Sequence, residues 1–184
     1  MRSVDLIVIH CTGTPNGDSL FRGKFQDAGF ETPVEVIDRE HAKRGFQRGQ
    51  PWRAQQNPSL SAIGYHFVVY TNGAVATGRH VDEVGAHARG YNANSLGLSL
   101  IGTDKFTTKQ WESLAALVRG LQATYRGARV RGHRDLSPDL NGNGQVEPNE
   151  WIKICPGFSV REWIARDMAA LPDHLLPAGV GMKP

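Results

Sequence analysis

Residues 4–9 are a short β-branched run, apolar on both faces, and this constrains the fold more than any other feature of the chain. Such a strand is stable only where both faces are covered, so it reads as a central strand of a sheet with helices packed on either side. His10 sits at its end, and the next residues, 12–32, are rich in Gly, Thr, Asp and Asn and read as a loop. A polar, titratable side chain leaving a buried strand into a loop is a candidate functional position.

The remaining elements follow from local signals. Thr32 as cap with Pro33 at the first helical position opens a helix over 34–44 that Gly45 ends, and residues 45–62 read as irregular. Residues 65–71 alternate as a strand, Asn72-Gly73 is a hairpin turn, and 74–77 return antiparallel. Leu96–Ile101 is a further apolar strand. Thr107 with Gln110 forms a capping box that opens a long amphipathic helix to about Tyr125. Val130 marks another short strand. Ser159 with Glu162 opens a last helix, with Trp163, Ile164, Met168 and Leu171 on or near its buried side. The expected class is α/β: a single domain over 1–171 with a central mixed sheet flanked by helices, then a frayed tail over 172–184.

With 184 residues the chain holds one sizeable core, and 21 glycines and 10 prolines leave much of it to turns. Two cysteines cannot build a disulfide framework. No stretch approaches the roughly 20 apolar residues of a membrane span, and no signal peptide is visible, so the expected protein is made in the cytoplasm, does not insert stably in membranes and is a monomer. The net charge of +3 favours anionic partners only mildly. Arg119, Arg126, Arg129, Arg131 and Arg134 lack the aromatic interleaving of a nucleic-acid surface and read as a solvated face, so no nucleic-acid partner is expected. No pair of carboxylates stands out as a glycosidase would need.

His10, His133 and Cys155 form the set with chemistry in it. Two imidazoles and a thiolate match the three protein ligands of a catalytic zinc site, which leaves a fourth position open. Cys11 points to the opposite strand face from His10 and reads as core packing. His66 points away from Tyr65 and reads as core, while His174 reads as solvated.

Five ordered segments carry a resemblance: Val8-Ile9-His10-Cys11-Thr12, Gly64-Tyr65-His66-Phe67, residues 85–92 (Gly-Ala-His-Ala-Arg-Gly-Tyr-Asn), Arg131-Gly132-His133-Arg134-Asp135, and residues 153–158 (Lys-Ile-Cys-Pro-Gly-Phe). Together they resemble the type 2 N-acetylmuramoyl-L-alanine amidases, a family that includes T7-type phage endolysins and peptidoglycan recognition proteins. The resemblance implies a zinc hydrolase that cuts the amide between N-acetylmuramic acid and L-alanine in peptidoglycan, with zinc on His10, His133 and Cys155. It implies catalytic positions at Tyr65 and Lys153, and substrate-groove positions at His87 and Asn92. Lys153, two residues from Cys155, is placed to stabilise an oxyanion. Tyr65, as an ordinary phenol, is a poor base at neutral pH and is better suited to orienting water or the intermediate. The family's recycling branch typically places an acid in the strand matching Leu98–Ile101, which has none here, so the lytic branch fits better. A phage or prophage endolysin reaching the wall through a holin-type partner is the expected setting. An intracellular recycling amidase and a non-catalytic recognition module are the alternatives.

The short phage enzymes separate the last two ligands by only a few residues, whereas His133 and Cys155 stand 22 apart. The insert over 139–150 satisfies a calcium-loop pattern, with oxygens expected from Asp139, Asn141, Asn143, the Gln145 carbonyl, Glu147 and Glu150, and the sharp turn at Gly144. A structural Ca²⁺ in an EF-hand-like loop is therefore expected beside the zinc.

Overall fold

The computed structural model describes residues 2–177. Five strands form one sheet: β1 (Leu6–Cys11), β2 (Phe67–Val69), β3 (Val75–Thr77), β4 (Ser95–Leu100) and β5 (Arg129–Gly132), in the order β3-β2-β4-β1-β5. β1 is parallel to both β4 and β5, β2 is parallel to β4, and only β3 runs antiparallel, through the Asn72-Gly73 turn. The apolar run at the start of the chain is thus an interior strand, as its two buried faces require.

Four helices accompany the sheet: α1 (Pro33–Lys43), α2 (Gln50–Gln55), α3 (Thr108–Thr124) and α4 (Val160–Ala165). The capping box of α3 forms as expected: Gln110 N–H donates to Thr107 Oγ1 at 3.1 Å, and Thr107 N–H donates to Gln110 Oε1 at 3.0 Å. Strand alternation divides the core in two. Ile7, Ile9, Leu96, Leu98 and Leu100 pack under Trp111, Leu114, Val118 and Trp163 of α3 and α4. On the other side, Val34 and Ile37 of α1 pack with Ile63, Val68 and Tyr70.

β4 alternates leucine with small residues. Its leucines enter the α3 core, and Ser95, Gly97 and Ser99 occupy the alternate positions. That small-residue face shares its side of the sheet with His10 and leaves room there for larger side chains from the loops.

Four expectations are corrected. Residues 45–62 are not wholly irregular, because Gln50–Gln55 forms a short helix with no buried residue. Ile164 is exposed rather than on the buried side of α4, which ends at Ala165, whereas Trp163 is fully buried and Met168 and Leu171, beyond the helix, pack against the core as expected. The tail is docked rather than frayed as far as residue 177: Pro172–His174 forms a single 3₁₀ turn, Phe106 N–H donates to the His174 carbonyl, and Leu176 N–H donates to the Phe106 carbonyl, both at 2.9 Å. His174 is not solvated; its ring Nδ1 lies 2.8 Å from the Asp104 carbonyl. The last seven residues of the expected tail lie outside the described residues.

Candidate metal centre

His10 leaves the carboxyl end of β1, and His133 follows the carboxyl end of the neighbouring parallel strand β5. The carboxyl ends of parallel strands are where open α/β sheets place their sites, since loops diverge there. Cys155 reaches the same point from the far side of the insert, held by Arg134 N–H, which donates to the Cys155 carbonyl at 2.8 Å. The ligand atoms of His10, His133 and Cys155 all lie within 4.8 Å of one another. Among the described residues this is the only group of three or more His, Cys, Asp or Glu side chains so arranged.

The donor chemistry fits a zinc ion. Burial, reinforced by neighbouring His87 and His133, holds the His10 imidazole well below its ordinary pKa, and burial with Lys153 nearby lowers His133, so both rings are neutral donors. The contact with Cys11 and burial together push the Cys155 thiol up. Its sulfur accepts from Cys11 N–H at 3.1 Å and lies 3.7 Å from His10 Nδ1, and a metal held there would displace the thiol proton and bind the thiolate.

Hydrogen bonds fix which nitrogen of His10 faces the centre. His10 Nδ1 is 3.7 Å from Cys155 Sγ, whereas Nε2 is 3.1 Å from His87 Nδ1. With the Nδ1 lone pair given to a metal, the proton would sit on Nε2 and be donated to His87 Nδ1. His87 in turn carries its own proton on Nε2, 3.3 Å from Ser95 Oγ. This outer shell orients the ligand and sets its tautomer. It exists because Gly97 has no side chain: a Cβ there would lie 2.5 Å from the His87 ring.

The three side chains line an open cleft of about 720 Å³, shared with Tyr65, Lys153, Arg134 and His41. The Tyr65 ring sits 5.2 Å from that of His10, and burial raises its phenol above its ordinary pKa, so it remains a protonated donor. Lys153 is solvent-exposed on the cleft wall. His87 also lines the cleft. Asn92 does not; its Oδ1 accepts from His87 N–H and Ala88 N–H, both at 2.9 Å, and so shapes the loop that carries His87.

Two positioning residues were not foreseen. Asp38, on the inner face of α1, accepts from the amides of Ser61, Ala62 and Ile63 at 3.1, 2.7 and 2.6 Å. His41, one turn on, accepts from Gly64 N–H at 2.9 Å, and burial lowers its pKa to about 4, which keeps it neutral. Together they hold the segment that delivers Tyr65. The only sequence signal was an Asp and a His three apart on one helix face, with no partner visible in the sequence.

Among the described residues, the acids of the insert, Asp139, Glu147 and Glu150, do not form a group close enough to hold a metal ion. Asp139 accepts from Gly142 and Gly144 amides at 2.7 Å each, and Asn141 and Asn143 accept from the amides two residues on. Buried Glu150 accepts from the amides of Leu140, Asn141 and Glu147, and Glu147 Oε2 accepts from Asn141 Nδ2. The expected Ca²⁺ draws no support from this geometry, in which the polar side chains serve main-chain amides as turn residues do.

Fold and site together define an α/β protein with a candidate two-histidine, one-cysteine metal centre at the floor of an open cleft. The chain belongs to the N-acetylmuramoyl-L-alanine amidase family, whose profile matches residues 1–157. It is 31% identical to the endolysin of Escherichia phage T7 over 180 residues, covering 94% of this chain and 93% of that one. Among solved structures it is similar to the N-acetylmuramoyl-L-alanine amidase LysC from Clostridium intestinale, with 27% identity, a TM-score of 0.61, and coverage of 92% of this chain and 88% of that one. Drosophila PGRP-LB shares the fold, with a TM-score of 0.54 at 21% identity over 96% of this chain and 86% of that one.

Proposed function

We propose that this chain is a zinc-dependent amidase that hydrolyses the bond between N-acetylmuramic acid and L-alanine in peptidoglycan, acting on the cell wall as a phage or prophage endolysin. The observation that carries the reading is the convergence of His10, His133 and Cys155 within 4.8 Å at the floor of the cleft. The endolysin and amidase relatives support the choice of substrate and setting. No helix among the described residues is long and apolar enough to cross a membrane.

Zinc held by these three side chains supplies a Lewis acid able to polarise the amide carbonyl and to make water nucleophilic near neutral pH. The protein's own groups complete the site. Tyr65, kept protonated by burial, donates to the oxygen of the carbonyl under attack. Lys153, free in the cleft, brings a positive charge towards the same developing oxyanion. His87 orients His10 and, as part of the cleft wall, meets the substrate.

The experiment incubates purified sacculi with the protein and scores new amino termini against new reducing ends. Amine release without reducing sugar, abolished by chelation and restored by zinc, is the expected result. Unchanged turnover in both Cys155→Ser and Lys153→Ala refutes the assignment. Binding to sacculi without cleavage makes the chain a recognition module instead.

A further inference from the structure

Arg134 is an arginine with nothing to hold. Its side chain is only 12% exposed, and its guanidinium carbon lies 4.0 Å above the Trp151 ring. Yet among the described residues no acceptor receives a hydrogen bond from it, and its enclosed Nε is without a partner, as is the indole N–H of Trp151. Its sole ion-pair neighbour, Asp135 Oδ1, is 3.8 Å away, too far for a hydrogen bond, and the other oxygen of Asp135 already accepts from Gly132 N–H at 2.8 Å. The enclosed Nε is out of a ligand's reach, but a guanidinium carries five donors, and the Nη donors, which take no acceptor among the described residues, belong to a side chain that lines the cleft and are available to an acceptor from outside the chain.

The setting selects an anion. Arg134, Lys153 and Arg44 line the cleft with positive charge, and the single acid there, Asp104, has Oδ1 taken by Asn16 Nδ2 at 2.7 Å. Contact with the Trp151 ring at 4.0 Å braces the guanidinium, whose paired donors match the two oxygens of a carboxylate. In a muramoyl peptide the carboxyl of the sugar is consumed in the scissile amide, so the remaining carboxylates belong to the peptide.

We propose that Arg134, braced by Trp151, is a specificity-determining residue that binds a carboxylate of the substrate's peptide half. The inference rests on the amidase reading and deepens it by assigning one wall of the cleft to the stem peptide. Trp151 directly follows the insert over 139–150, which thereby contributes to substrate choice by placing it rather than only lengthening the loop between two candidate ligands.

The test uses the zinc-loaded protein and a soluble L-alanyl stem peptide, the half released by cleavage, prepared with free carboxylates and as its carboxamide. Dissociation constants are read by calorimetry for the native protein, Arg134→Gln and Arg134→Lys, with zinc content and thermal melting measured on each. The native protein is expected to prefer the carboxylate by about tenfold or more, the size of one charge-assisted hydrogen bond. Arg134→Gln should erase that preference with zinc content unchanged, and Arg134→Lys should recover part of it. Equal affinity of the native protein for both peptides overturns the proposal, as does an unchanged ratio in Arg134→Gln. Loss of zinc from Arg134→Gln with the ratio intact overturns it in favour of a role at Cys155. A ratio that depends on Arg134 in a protein that leaves sacculi uncut upholds this site and refutes the amidase reading instead.

Discussion

Asp38→Asn is the substitution that most sharply tests how the fold places Tyr65. The carboxylate is 7% exposed and takes amides from three consecutive residues, Ser61, Ala62 and Ile63, directly ahead of the Gly64-Tyr65 pair. Asparagine keeps the shape but offers one acceptor oxygen. If that oxygen keeps the two shorter bonds, to Ala62 and Ile63, the side-chain NH₂ faces the Ser61 amide, donor against donor. Losing one charge-assisted bond, weakening two and leaving a buried donor unanswered amounts to about 2–4 kcal/mol. For a domain of this size that lowers the melting temperature by roughly 4–16 °C. Urea unfolding gives the free energy, and turnover of sacculi gives the functional consequence, expected as a fall in kcat with zinc content unchanged because Tyr65 is displaced and the metal ligands are not. A loss below about 0.5 kcal/mol, the range of an ordinary surface change, would refute the reasoning.

Other perturbations follow from the same geometry. Glu83→Ala strips the partner from Arg48 and Arg79, whose side chains are 0% and 7% exposed, and should cost about 3–5 kcal/mol in urea unfolding because two buried cations are left. Gly97→Ala forces the His87 ring off its place against His10 and should weaken zinc affinity by about 10- to 100-fold, read by competition with a chromophoric chelator. Acid should destabilise the protein through its buried neutral histidines. Burial lowers His41 to about 4 and His66 to about 3, below an ordinary value near 6.5. The unfolded chain therefore binds more protons in that window. Their contribution is fully present above about pH 6.5 and is lost as the pH falls towards about 4, by roughly 1.4 kcal/mol per unit of depression, so unfolding free energy should drop across that interval. A flat profile there would show that these rings are not buried as neutral acceptors.

What the sequence made legible, and what it hid, divides by the range of the interactions. β1, α1, α3 and the hairpin rest on local patterning and short caps, and each lies within a few residues of its expected span. The three candidate metal ligands, which the fold brings together, were legible because each closes a short motif after an apolar element and because five ordered segments resemble one family. α2 was missed because Gln50–Gln55 carries no apolar stripe, and only Pro51 marks its start. The docked tail was missed because its partner is the main chain of Phe106, about 70 residues away. Asp38 and His41 were invisible for the same reason: their partners are backbone amides 23 to 25 residues on, which no side-chain pattern announces. In β4 the signal was present, since Ser95, Gly97 and Ser99 alternate with leucines, and small residues facing a site leave space for the ring of His87. The calcium-loop pattern is ambiguous for a different reason: Asp, Asn and Gly at ligand spacing equally describe a chain of side-chain-capped turns.

X-ray absorption at the zinc edge of the purified, catalytically assayed protein tests the central claim most directly. The account predicts one sulfur and two imidazole nitrogens in the first shell, with the sulfur lost in Cys155→Ser together with amine release from sacculi. A zinc shell without sulfur, or full amine release from protein freed of metal, would contradict it.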